Sequence, residues 1–263
     1  MGGRNTGGGV VAIFWFLAFG LAWALSVPAA LAQHGLAHPY EVPQGAIRLM
    51  GFAPAIAALI AASLTGRLRE WWSRVATLSA PASLYGIALV LPVALLSASF
   101  AWSAYGGHAE PKLWLDPQVA LLAGAWLLLA AGEEIGWRAF ALPSLVERFG
   151  FWPGATLLGL VWALWHYPML LASPYVLSVD QAAYWLAMFT LQIVLANYLI
   201  SWLMMRSGAV IVPTLFHAAF NTVATIYYAA AIDVAITGGI AAVVLFIFLF
   251  DHNPRQVPAP LAA

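Results

Sequence analysis

An all-α, polytopic membrane bundle of about eight transmembrane helices is the fold this sequence predicts, and three observations predict it. The 263 residues are 63% hydrophobic and 8% charged, against about 45–50% and roughly 25% in soluble globular chains. Mean hydropathy is +0.89. Apolar runs of about 20 residues, the length that crosses a bilayer core, recur along the chain, and most of the few charges fall between them. Ten basic and ten acidic residues are too few to coat a water-facing surface. A soluble domain, a disordered chain and a nucleic-acid binder are therefore excluded as good readings.

Eight apolar runs follow in order. The first, 10–32, ends before Pro39 and Pro43, and the second, 46–64, stops at the charged stretch Arg67-Leu68-Arg69-Glu70. The third, 82–104, runs into Gly106-Gly107 and Pro111, and the fourth, 118–141, closes ahead of Glu147-Arg148. The fifth, 153–172, meets Ser173-Pro174, and the sixth, 182–204, meets Arg206-Ser207-Gly208. The seventh, 209–229, and the eighth, 232–250, are parted mainly by Asp233. Residues 1–250 thus read as one transmembrane domain, and the three prolines of 251–263 suggest a mobile tail. Ala30-Leu31-Ala32 resembles a signal-peptidase site, but the apolar run before it is longer than an h-region, so the first span is read as a membrane helix. Met1-Gly2 with Thr6 fits a myristoylation pattern that is redundant in a chain anchored eight times.

With the N-terminus in the cytoplasm and eight alternating spans, Arg4, Arg67, Arg69, Arg74, Arg138, Arg148, Arg206 and Arg255 fall inside, and Arg48 and Lys112 fall outside. The positive-inside rule favours that arrangement, which puts both termini in the cytoplasm. With no cysteine, the chain has no disulfide, thiolate metal site or cysteine nucleophile.

Ionisable groups inside a span cost roughly 2.5–3.5 kcal/mol each at the helix centre, so the few that occur invite a functional reading. Gly132-Glu133-Glu134-Ile135-Gly136-Trp137-Arg138 lies near the inner end of the fourth span. Glu134 and Arg138 are four apart and form an ion pair on one face. Glu133 points about 100° away, without a local counter-charge, as a general base would. Gly132 and Gly136 allow another helix backbone to come close. His166 follows Trp162 by four on the fifth span, and His217 and Asn221 share a face of the seventh. At 1.5 Å per residue, Glu133, His166, His217 and Asn221 lie about 13, 20, 12 and 18 Å from the cytoplasmic ends of their spans, one band in the inner half of the bilayer. Gln192 and Asn197 on the sixth span suit interhelical hydrogen bonding.

A carboxylate, two imidazoles and an amide, with no paired serine or cysteine, suggest activation of water. Glu133 and His166 would deprotonate it, and His217 with Asn221 would stabilise the oxyanion. Two rivals stay open on the residues alone: a catalytic zinc held by His166, His217 and a glutamate, though no His-Glu-x-x-His helix is present, and a non-catalytic immunity or scaffold protein whose polar groups form a structural network.

Glu133-Glu134-x-x-x-Arg138, Trp162-x-x-x-His166 and His217-x-x-x-Asn221, in that order on three spans, resemble the three motifs of the CPBP intramembrane proteases. This is the CAAX protease or abortive-infection family, which includes Rce1-like prenyl-protein endopeptidases. The resemblance implies an eight-helix membrane fold, a catalytic core of about 118–229 and a glutamate-dependent endopeptidase. Glu133 and His166 would activate water, His217 and Asn221 would form the oxyanion hole, and Glu134, Arg138 and Trp162 would support them. The family usually has Phe where Trp162 stands. The implied partners are a membrane-associated or lipidated protein substrate and the bilayer, with no nucleic acid. No cofactor is expected. The implied location is the inner membrane of a prokaryotic cell.

Overall fold

Apolar runs without competing turn residues become long helices, and glycines in the left-handed region end several of them. The computed structural model describes residues 6–43, 45–106, 117–173, 178–227, 234–251 and 254. Helix α1 spans Thr6–Gln33. A 3-10 segment, Ala46–Phe52, leads directly into α2, Ala53–Leu64. Then come α3 (Leu68–Ala76), α4 (Ala82–Gly106) and α5 (Gln118–Gly136). A π turn, Trp137–Ala141, joins α5 to α6, Leu142–Phe149. Helices α7 (Phe151–Leu171), α8 (Val179–Ser207), α9 (Ile211–Ile226) and α10 (Val234–Phe250) complete the bundle. No strand occurs among the described residues.

Among the described residues, six stretches are long and apolar enough to cross a membrane: Ala12–Gln33, Ala46–Leu64, Ala82–Trp102, Gln118–Phe149, Phe151–Leu171 and Asp180–Ser207. The seventh span begins later than the sequence suggested. Gly208, at φ 65°, ends α8, and α9 starts only at Ile211 and runs 16 residues to Ile226. At 1.5 Å per residue α9 covers about 24 Å, somewhat less than the hydrocarbon core; the described part of the eighth span is Val234–Phe250. Asp233, Gly107, Pro111, Pro174, Arg4, Lys112 and Arg255 lie outside the described residues.

Three further expectations are corrected. The fourth span does not stop at 141 but continues helically to Phe149, because Pro143 falls in the first turn of α6, where a missing N–H costs nothing. Gly150, at φ 81°, then ends it. The charged stretch at Arg67–Glu70 is not a plain break but the start of α3, a short helix whose Trp71 is buried while Trp72 is exposed. Asp251, assigned by sequence to a mobile tail, is tied to α8. It accepts from Trp202 Nε1 at 2.8 Å and from Arg206 Nε at 2.7 Å. The rest of that tail except Pro254 lies outside the described residues.

The close approach predicted at Gly132 and Gly136 is present. A Cβ on Gly132 would stand 2.5 Å from the Gly51 carbonyl oxygen, and one on Gly136 would collide with the Pro54 backbone. Those two glycines therefore seat the 3-10 segment and α2 directly on α5. On the other side, α1 is pinned to α7: Trp165 Nε1 donates to the Ala18 carbonyl at 3.0 Å, and Trp23 Nε1 donates to the Trp165 carbonyl at 3.1 Å. Phe14, Trp15, Trp137 and Trp165 fill the space between them with edge-on and stacked rings. These contacts link α5 to α7 through α2 and α1, which fixes the two helices that carry Glu133 and His166.

Candidate active site

Glu133 and Glu134 occupy the last turn of α5 and sit in different surroundings, as their 100° separation demands. Glu134 is fully buried. Its Oε1 receives Arg138 Nη1 at 3.2 Å, and Arg138 Nε lies 3.1 Å from Oε2, an ion-pair distance without hydrogen-bond alignment. Arg138 is itself fully buried. Its Nη2 donates to Asn197 Oδ1 at 2.8 Å, and its guanidinium lies 4.2 Å from the Trp162 ring centroid. Asn197 passes the contact on by donating Nδ2 to the Ala155 carbonyl at 2.6 Å. A charge as deep as Arg138 is tolerable only because each of these groups answers it.

Glu133 faces α7. Trp162 Nε1 donates to its Oε2 at 2.7 Å, and His166 Nε2 stands 3.8 Å from the same oxygen. His166 Nδ1 lies 2.8 Å from the Trp162 carbonyl. A carbonyl only accepts, so Nδ1 carries the hydrogen, and in the neutral ring Nε2 presents a lone pair. Trp165 and Phe189 hold the imidazole edge-on, with centroids 4.7 and 5.4 Å away. Across the site, His217 on α9 places Nδ1 2.8 Å from Glu134 Oε1. Its ring packs edge-on against Trp162, with centroids 5.5 Å apart.

The structure thus brings together Glu133, Glu134, Arg138, Trp162, His166 and His217. Asn221 sits one turn beyond His217 on α9, half-buried, and its amide makes no hydrogen bond to the other six. Exposure separates the members. Glu134 and Arg138 are at 0%, whereas Glu133 and His166 each keep 8% and the His217 side chain keeps 11%. Only that edge can meet a substrate.

Sequence reasoning missed three features. Trp162, expected as a supporting aromatic residue of its motif, donates a hydrogen bond that a Phe in its place would lack. The partner of His217 is Glu134, reached across helices rather than along one. Asn197 does join helices as expected, but through the site's own arginine. Gln192 keeps the plain role, accepting from Thr237 at 3.1 Å.

Both imidazoles meet protein acceptors through Nδ1, the Trp162 carbonyl and Glu134, which leaves Nε2 as the remaining nitrogen of each ring. Among the described residues, no three His, Cys, Asp or Glu side chains are grouped so as to hold a metal ion.

Long apolar helices around a buried carboxylate–imidazole cluster define an integral, multi-pass membrane protein with a polar interior site. Residues 114–223, which span α5 to α9, match the family of type II CAAX prenyl endopeptidases described as Rce1-like. The chain is also 31% identical over 98 residues to CAAX prenyl protease 2 of Methanococcus maripaludis. That alignment covers 36% of this chain and 36% of the relative, so it spans about a third of either protein. Together these matches support an Rce1-like family for the segment that carries the site.

Proposed function

We propose that the protein is an intramembrane endopeptidase that hydrolyses a peptide bond in a membrane-associated or lipidated protein, using water activated by Glu133 and His166. One observation carries the reading. Glu133 Oε2 and His166 Nε2, brought from two helices, face each other across 3.8 Å. That gap is too long for a direct hydrogen bond. Both atoms accept, so the species that satisfies them is one with two O–H groups, a water. It donates to each and turns a lone pair toward the scissile carbonyl carbon.

The steps follow from that placement. The water oxygen bonds to the carbonyl carbon as Glu133 takes the water proton. Charge moves to the carbonyl oxygen. His217 Nε2–H, in the doubly protonated ring, and the Asn221 amide donate to that oxyanion. Glu134 balances the imidazolium through its bond to Nδ1. Collapse breaks the C–N bond, Glu133 returns the proton to the amine, and acid and amine leave. No metal takes part in these steps, so the rate is expected to survive a chelator. The likeness of residues 114–223 to prenyl endopeptidases supports a lipidated chain as substrate. The bias of arginines to one side supports a site opening to the cytoplasm of a prokaryotic inner membrane, with both termini on that face.

Comparative proteomics of membranes carrying the wild type or Glu133→Gln tests this. Accumulation of an uncleaved membrane protein in the variant alone is the expected result. Identical proteomes would favour a non-catalytic scaffold.

A further inference from the structure

The Trp137–Ala141 π turn begins three residues after Glu134. One inserted residue swings everything after it by about 100° relative to an unbroken α-helix. Arg138 lies inside this turn, so its pairing with Glu134 depends on the turn keeping its register. The backbone there is held from outside. Trp71 Nε1 on α3 donates to the Ile135 carbonyl at 3.2 Å, and Arg74 Nη1 donates to the Ala139 carbonyl at 3.3 Å. Glu70 grips Arg74 through Nη2 at 2.6 Å, which leaves Nη1 for that carbonyl.

The same short helix also reaches α9. The N–H of Val210, the residue before α9 begins, donates to the Arg74 carbonyl at 3.3 Å. That N–H is among the donors a helix start leaves without an internal partner. Two turns later α9 presents His217, which meets Glu134 at 2.8 Å. One nine-residue helix therefore touches the backbone of both segments whose side chains join in that bond.

We propose that α3 sets the spacing between the glutamate-bearing segment and α9, with Trp71 and Arg74 as positioning residues for the site. The catalytic part of this proposal rests on the hydrolytic reading above. The two residues touch neither substrate nor reacting atoms. They act by holding the π turn in register, and so hold Glu134 at the distance His217 needs.

The test is the full-length Trp71→Phe/Arg74→Lys variant in proteoliposomes. Phe keeps a buried ring but loses the indole N–H, and Lys keeps a charge beside Glu70 but lacks the fork by which Arg74 serves Glu70 and the Ala139 carbonyl from two separate nitrogens. Backbone amide exchange over residues 135–142 is expected to rise about tenfold, and kcat to fall about tenfold with KM within about twofold, the signature of an interaction that matters in the transition state. If the double variant does not accumulate, the two single variants carry the same comparison at smaller amplitude. Unchanged exchange overturns the proposal. Raised exchange with unchanged kcat overturns the positioning role, provided that the wild type cleaves and Glu133→Gln does not. A wild type that cleaves nothing sinks the hydrolytic reading instead, and exchange alone then judges α3.

Discussion

The indole N–H of Trp162 donates to Oε2 of Glu133 at 2.7 Å, from one helix to the next. The same oxygen faces His166. The ring of Trp162 also carries Arg138 over its face and both imidazoles at its edges. Trp162→Phe keeps an aromatic ring, deletes the donor and leaves a small cavity where the larger indole was. A hydrogen bond to a charged group contributes about 1.5–3 kcal/mol, so kcat is expected to fall about 10–100-fold while the protein remains folded. Steady-state kinetics beside a thermal melt checks this. A rate within threefold of wild type would reduce Trp162 to packing.

The two adjacent glutamates should separate cleanly. Glu134→Gln leaves the fully buried Arg138 without a counter-charge, and breaking a buried pair from one side costs about 3–5 kcal/mol. Glu133→Gln removes no charge partner of that kind and keeps an acceptor for Trp162. Thermal denaturation should therefore show Glu134→Gln strongly destabilised and Glu133→Gln close to wild type. Equal losses would contradict the division of roles.

Asn197 makes two bonds that its removal leaves open at once, one to Arg138 and one to the Ala155 carbonyl. Leaving buried partners unsatisfied costs about 1–3 kcal/mol per group. Asn197→Leu should destabilise more than Gln192→Leu, because Asn197 serves the buried Arg138 whereas Gln192 accepts from the neutral Thr237 hydroxyl. Denaturation midpoints of the two variants decide it.

Glu70 tests the docking of α3 by pH. Arg67 first, and then Arg74, hydrogen-bond its carboxylate and hold it below the ordinary value of 4.5, against a smaller opposing effect of burial. A lowered folded value means the stabilisation is fully present above 4.5 and is lost as pH falls through that folded value. Glu70→Gln should therefore melt below wild type at neutral pH, and the two should converge in acid. The pair is partly exposed, so the gap is modest and shrinks with added salt. A gap that widens in acid would refute the assignment.

Much of the site was legible because three polar pairs stand out against apolar helices. The i,i+4 spacing of Glu134–Arg138 needed nothing but helix geometry, and the glycine pair announced a close neighbour without naming Gly51 or Pro54. The Glu134–His217 bond was hidden because partners across helices depend on rotation about each axis, which spacing on one helix does not set. The π turn leaves no mark in composition, since a single inserted residue breaks no apolar run. Helix α3 was missed because its charges read as an interruption, although Trp71 and Val75 lie on one face and Trp71 is buried. The seventh span was drawn too long because apolar residues flank α9 on both sides, Ala209 and Val210 before it and Tyr227 after it.

The most direct measurement is the cleavage rate of a lipidated reporter peptide by wild type and Glu133→Gln, each shown to be folded in proteoliposomes. Water activation by Glu133 and His166 requires the variant to lose at least about 10³-fold in kcat, with comparable substrate binding. A folded Glu133→Gln protein that cleaves within tenfold of wild type would contradict the account.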